Sequence, residues 1–114
     1  MIGADTIRSD GGVMNKVGTL PLALAAREAR VPVYVLCETM KIAAPDFALT
    51  FEEMDPAELL PAPEPGVRVR NVYFDLTPGP LVTKIISEQG VLTPADILAI
   101  ARRAGQVLAL LAPF

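Results

Sequence analysis

One short run, Val33-Tyr34-Val35-Leu36-Cys37, is continuously apolar and rich in β-branched residues, and it follows Pro32 directly. A strand without polar alternation is one buried on both faces, the habit of parallel sheets covered by helices. The rest of the 114 residues must therefore give this strand neighbours on its edges and helices on its faces.

The flanking sequence offers such helices. Leu20 to Arg30 is rich in alanine and leucine and reads as a helix fed by a loop-like stretch from Gly3 to Gly18, which contains Gly11-Gly12. Thr93-Pro94-Ala95-Asp96 has the form of a capping box with proline at the first helical position, and predicts a helix to about Leu111. Leu81, Val82, Ile85 and Ile86 stand at helical spacing, so Pro78 to Gln89 is expected to be a short helix that Gly90 stops. A second strand is expected over Val67 to Leu76, ending at Thr77-Pro78.

Between these units, residues 39–66 have a different texture, with Pro45, Pro56, Pro61, Pro63 and Pro65 interrupting an acidic stretch. A surface excursion with short helices at most fits that composition. The hydrophobic share of 52% comes mainly from Ala, Leu, Val and Ile, with aromatic residues at 5%, which favours helices packed on buried strands. The expected class is α/β: a partial Rossmann-like parallel sheet flanked by helices, in a single partial domain over 1–114. Two strands do not make an independently stable sheet. The opening Met1-Ile2-Gly3-Ala4-Asp5 reads as the last residues of a buried strand, so further sheet is expected from a preceding segment or a partner chain.

Several function classes are disfavoured. Ten basic residues stand against thirteen acidic ones, with no histidine and no long run of one charge, so charge does not point to direct nucleic-acid binding. Cys37 is the single cysteine, which rules out an internal disulfide and, without histidine, a Cys/His zinc site within one chain. No metal or other cofactor is expected. The first residues lack a signal peptide's pattern and no apolar run is long enough to span a membrane, so a cytoplasmic location away from membranes is expected.

The polar residues that draw notice are Asp5, Asn15 and Lys16, which flank a glycine-containing loop between a strand end and a helix start. Ligands of open α/β sheets sit in such places. A carboxylate can exchange a proton, a lysine can neutralise a phosphate and an amide can hydrogen-bond a sugar hydroxyl. The plain alternative is a turn-capping Asp5, a loop Asn15 and a solvated Lys16.

Four ordered motifs carry a resemblance: Gly3-Ala4-Asp5, Asn15-Lys16-Val17-Gly18-Thr19, Cys37-Glu38-Thr39 with Lys41, and Phe74-Asp75-Leu76-Thr77-Pro78. Together they resemble the initiation-factor-2B-related family, which unites regulatory subunits of initiation factor 2B, ribose-1,5-bisphosphate isomerases and methylthioribose-1-phosphate isomerases. The resemblance covers Gly3 to about Pro94 and implies the C-terminal part of a Rossmann-like domain that dimerises. In the isomerase branches it implies conversion of an aldose phosphate to a ketose phosphate. Asp5 matches the acid that works there with a cysteine on an earlier segment, and Asn15 and Lys16 match the substrate-binding pair. Cys37 lies in a different motif from that cysteine and reads as a small buried residue.

Thr6 after Gly-Ala-Asp, and Asp10-Gly11-Gly12 in the loop, depart from the methylthioribose branch. Cys37-Glu38-Thr39-Met40-Lys41 is similar to both other branches, with Met40 replacing a usual tyrosine. Asp75 is expected to be structural, at a dimer interface or capping the following turn. A sugar phosphate or a nucleotide such as AMP is the expected ligand class, and a homo-oligomer the expected assembly. Two functions stay open: an isomerase portion that is inactive by itself, or a non-catalytic regulatory module.

Overall fold

The computed structural model describes residues 1–62 and 64–112; Pro63 of the proline-rich segment and the last two positions of the predicted domain lie outside them. Among the described residues the chain builds two three-stranded sheets. The first contains β1 (Thr6–Ile7), β2 (Val13–Lys16) and β4 (Phe74–Thr77), with β2 in the middle and both pairings antiparallel. The second contains β3 (Tyr34–Leu36), β5 (Lys84–Ser87) and β6 (Gly90–Leu92), with β5 in the middle. There β3 runs parallel to β5, and β6 turns back antiparallel.

The apolar run around Val35 is a strand, but buried on one face rather than both: Val33 and Val35 are buried, Tyr34 is half-buried and Leu36 is 47% exposed. Val35 is fully buried, with β5 on one edge and Ile2 in a parallel bridge on the other. The Ile2 N–H donates to the Tyr34 carbonyl at 2.9 Å, and the Leu36 N–H to the Ile2 carbonyl at 2.8 Å. The first sheet is thus antiparallel and the second mixed, where a single parallel sheet was expected.

Two stretches depart from the sequence expectation. Gly3 to Gly18, expected as loop, contains β1 and β2. Pro78 to Gln89, expected as helix, makes one 3-10 turn at Gly79–Leu81 and then becomes β5. Ile85 is buried on its inner face while Lys84 is exposed, and the pairing with β3 and β6 supplies backbone partners on both sides. Gly90, expected as a helix stop, has its left-handed φ of 95° at the end of the two-residue loop joining β5 to β6. The second predicted strand shrinks to β4, which runs antiparallel to β2.

Both long helices stand where expected: α1 over Thr19–Glu28 and α2 over Pro94–Leu111. At the start of α2 the Thr93 hydroxyl accepts the Asp96 N–H at 3.1 Å, and an Asp96 oxygen accepts the Thr93 N–H at 2.8 Å. The end of α1 is a Schellman turn: Arg30 N–H reaches the Arg27 carbonyl and Val31 N–H the Ala26 carbonyl. Arg30 takes the left-handed position, φ 58°, that glycine usually fills.

The described residues of 39–66 hold two 3-10 turns, Thr39–Lys41 and Pro56–Glu58, and tuck Ile42 and Ala44 into the interior. The core joins the sheets through Ile7, Val13, Val35, Ile42, Ile85, Leu92, Ile97 and Ala101. Full burial of a side chain such as Ile7 contributes roughly 1.5–3 kcal/mol relative to leaving it in water. The molecule is nevertheless a thin slab, 49 × 45 × 18 Å, with a radius of gyration of 16.7 Å. A self-contained domain of this length would have a radius near 13 Å, by the usual size scaling. Met40, Val107, Leu108 and Leu110 are accordingly exposed.

Candidate functional site

The antiparallel sheet gathers the polar motif residues at one end. Its register sets Asn15 opposite Asp75 and Lys16 opposite Phe74. Asp5 immediately precedes β1, and its N–H donates to the Met14 carbonyl at 2.9 Å, which keeps it beside β2. Asp5 and Lys16 are exposed and Asn15 half-buried, so all three reach solvent.

Asn15 and Lys16 are tied to the first turn of α1. The Asn15 Nδ2 donates to Thr19 Oγ1 at 3.2 Å, and that hydroxyl donates to the Lys16 carbonyl at 2.7 Å. Gly18, the residue before α1, has φ 105°, a conformation that side-chain-bearing residues rarely adopt. Its N–H and that of Leu20 both donate to Asp75 Oδ2, at 2.9 and 3.1 Å. Asp75 Oδ1 is buried without a hydrogen-bond partner among the described residues. Of the roles expected for Asp75, structural or at a dimer interface or capping the turn after it, the hydrogen bonds show a structural one of longer reach: it caps a helix more than fifty residues earlier in the chain.

The Lys16 ammonium lies 4.4 Å from the centre of the Tyr73 ring and 5.5 Å from that of Phe74. Tyr73 in turn donates its hydroxyl to Glu58 at 2.5 Å, and Asn71 Nδ2 donates to the same carboxylate at 2.8 Å. These bonds from Tyr73 and Asn71 hold the Glu58 carboxyl below the usual carboxylate range, and the bond to Glu58 pushes the Tyr73 phenol up.

Asp5 faces a different environment. It borders a cleft of about 650 Å³ between the Met40–Phe47 segment and the Ala104–Leu108 face of α2. Lys41, from the Cys-Glu-Thr-Met-Lys motif, lines the same cleft, although sequence reasoning had not put it with the site residues. Its signal was present, a lysine inside a recognised motif, but nothing local linked it to Asp5. Among the described residues no hydrogen bond or ion pair joins Asp5 to Asn15, Lys16 or Lys41. Asp5 and the Asn15-Lys16 pair therefore lie at one sheet end with no hydrogen bond or ion pair between them among the described residues.

With this geometry in view, residues 1–94 match the Initiation factor 2 subunit family. The chain belongs to this family. Relatives include the ribose 1,5-bisphosphate isomerase of Archaeoglobus fulgidus, 42% identical over 82% of this chain and 32% of that protein. A methylthioribose-1-phosphate isomerase of Chloroflexus aurantiacus is 40% identical over 88% of this chain and 31% of that protein. Among solved structures, the delta subunit of translation initiation factor eIF-2B from A. fulgidus aligns with a TM-score of 0.74 and 32% identity, over 89% of this chain and 33% of that one. The 5-methylthioribose 1-phosphate isomerase of Pyrococcus horikoshii aligns with a TM-score of 0.70 and 33% identity, over 93% and 32%. The chain spans about one third of the length of the curated relatives it matches.

Within this member of the Initiation factor 2 subunit family, the lone cysteine stands apart from Asp5. Cys37 borders a separate cleft of about 380 Å³ with Glu38 and Glu88. Burial pushes its thiol up, the Glu88 charge adds to that and Lys41 partly opposes it, so the nucleophilic thiolate is disfavoured. Glu88 accepts the Thr39 N–H at 2.9 Å and also the Thr39 hydroxyl, bonds that hold its carboxyl below the usual range. A third cleft, of about 510 Å³, lies between Asp10 and Lys84 and includes none of the three predicted residues. Among the described residues no group of three or more His, Cys, Asp or Glu could hold a metal ion, and no helix is long and apolar enough to cross a membrane.

Proposed function

We propose that this chain carries the acid and the phosphate- and hydroxyl-binding residues of an aldose–ketose sugar-phosphate isomerase of the ribose-1,5-bisphosphate type. The observation behind this reading is the gathering of Asp5, Asn15 and Lys16 at the end of the β1-β2-β4 sheet, where α1 begins. Asp5 has the chemistry to take a proton from one carbon of the open-chain sugar and return one to its neighbour, leaving the overall redox state unchanged. Lys16 supplies positive charge for a phosphate and Asn15 a hydrogen bond to a hydroxyl.

The resemblance assigns the companion cysteine to an earlier segment, and Cys37 has neither its position nor an activated thiol. We therefore expect these 114 residues to bind a sugar phosphate without turning it over. Their natural setting on this reading is cytoplasmic and dimeric, as a partial Rossmann-like domain over 1–114 with 39–66 as a surface excursion. The parallel run of Ile2, β3 and β5 would be its share of the parallel sheet, and the exposed Val107, Leu108 and Leu110 would meet another surface.

Titration calorimetry with ribose-1,5-bisphosphate and with AMP, on the chain and on Asp5→Asn and Lys16→Ala, tests the reading. Saturable sugar-phosphate binding that both variants lose supports it. A folded protein that binds neither ligand favours the second reading, a regulatory module, which the likeness to the eIF-2B delta subunit makes specific. The tetrameric eIF2B-beta2-delta2 complex from C. thermophilum, with a TM-score of 0.61, illustrates assembly in the family, so solution mass belongs in the same experiment.

A further inference from the structure

We infer that Asp75 is a positioning residue that presets Asn15 and Lys16 for ligand by closing the first turn of α1 from the neighbouring strand. The inference rests on the assignment of Asn15 and Lys16 to the ligand site. A continuous set of contacts supports it. Asp75 Oδ2 holds the N–H groups of Gly18 and Leu20, the residues on either side of Thr19. Thr19 is buried, and its single hydroxyl both accepts from Asn15 Nδ2 and donates to the Lys16 carbonyl. The carboxylate thus fixes the turn on which the amide of Asn15 and the backbone of Lys16 depend.

Two further features fit positioning better than packing alone. Gly18 has no side chain to cap α1 and is bent into a left-handed conformation, so the helix start relies on an acceptor from elsewhere. Asp75 also keeps Oδ1 buried without a partner among the described residues, a desolvation cost that an apolar residue would avoid. Asp75 and Asn15 are direct cross-strand partners, so the acceptor and the amide it serves share one face of the sheet. Asp75 acts through the turn and is not itself a catalytic residue.

The test compares the chain with Asp75→Ala, with Asp75→Asn, which keeps an acceptor oxygen, and with Thr93→Ala, which uncaps α2 away from the site. Calorimetry with ribose-1,5-bisphosphate is expected to show about tenfold weaker binding for Asp75→Ala and recovery of most of it in Asp75→Asn. Thr93→Ala should leave affinity unchanged while lowering the melting temperature. Equal loss of affinity in Asp75→Ala and Thr93→Ala would reduce Asp75 to general stability and overturn the inference, as would full affinity in Asp75→Ala. If the unmodified chain binds no sugar phosphate, the functional reading fails by itself. Hydrogen exchange then decides the role of Asp75. Lost protection at Gly18 and Leu20, with an averaged Asn15 side-chain amide signal, in Asp75→Ala supports it; unchanged protection and signal overturn it.

Discussion

The two long helices begin in opposite ways. The start of α2 is closed by four consecutive residues, Thr93 to Asp96, whose side chains and backbone satisfy one another. The start of α1 has no side-chain cap of its own; Gly18 stands in the cap position and Asp75, on a strand formed much later in the chain, supplies the acceptor. A helix capped locally can form its first turn before the rest of the fold exists. One capped across the fold starts properly only once β2 and β4 have paired, which couples the Asn15-Lys16 end of the sheet to tertiary structure.

The contrast can be broken or sharpened by mutation. Asp75→Ala should be the most damaging change, costing about 2–3 kcal/mol because two N–H groups lose a carboxylate acceptor. Denaturant unfolding measures it, and a loss below that of an ordinary cap would make the remote cap unimportant. Gly18→Ala comes next. A Cβ there meets nothing within 4 Å, so the expected loss of about 1–2 kcal/mol is backbone strain alone. A neutral result would show that the turn can relax.

For α2, Thr93→Ala should cost about 1 kcal/mol, the usual loss of a threonine cap. This helix also carries a pH signature. The Thr93 N–H and hydroxyl hold the Asp96 carboxyl below its ordinary value of 3.8. The folded value is the lower one, so the cap contributes fully above pH 3.8 and is lost as pH falls through the folded value. Circular dichroism during acid titration should show loss of helix signal in that range, with a smaller pH dependence in Thr93→Ala. The smallest effect is expected from Arg30→Gly at the end of α1. It relieves a left-handed φ of 58° while freeing the unfolded chain, for a net gain of about 0.5 kcal/mol in thermal unfolding.

Legibility in the sequence follows the same local-versus-remote division. Thr93-Pro94-Ala95-Asp96 announced α2 because every group in the motif lies within four residues. Leu81, Val82, Ile85 and Ile86 misled because their spacing suits a helix face, and only pairing with β3 and β6 makes Lys84–Ser87 a strand. Gly90 carried a correct signal, a left-handed backbone, but a helix stop and a hairpin loop ask the same of a glycine. The short strands β1 and β2 were hidden by the glycine-rich, polar composition of Gly3 to Gly18. Asp5, Asn15 and Lys16 were visible as residue types beside a loop. Lys41 on the Asp5 cleft and Tyr73 beneath the Lys16 ammonium were not, because their proximity depends on the path of the chain between them.

By itself the amino-acid sequence determined both helices, the strand at Val35 and the family to which the chain belongs. These rest on periodicity, capping and contiguous motifs, which act within a few residues. Tertiary structure alone decided that the sheets are mixed and antiparallel, that Asp75 closes α1, and that Asp5 opens on a cleft apart from Asn15 and Lys16. Strand pairing and remote hydrogen bonds depend on which backbone groups remain unsatisfied once the chain has folded back, and no local run of residues encodes that.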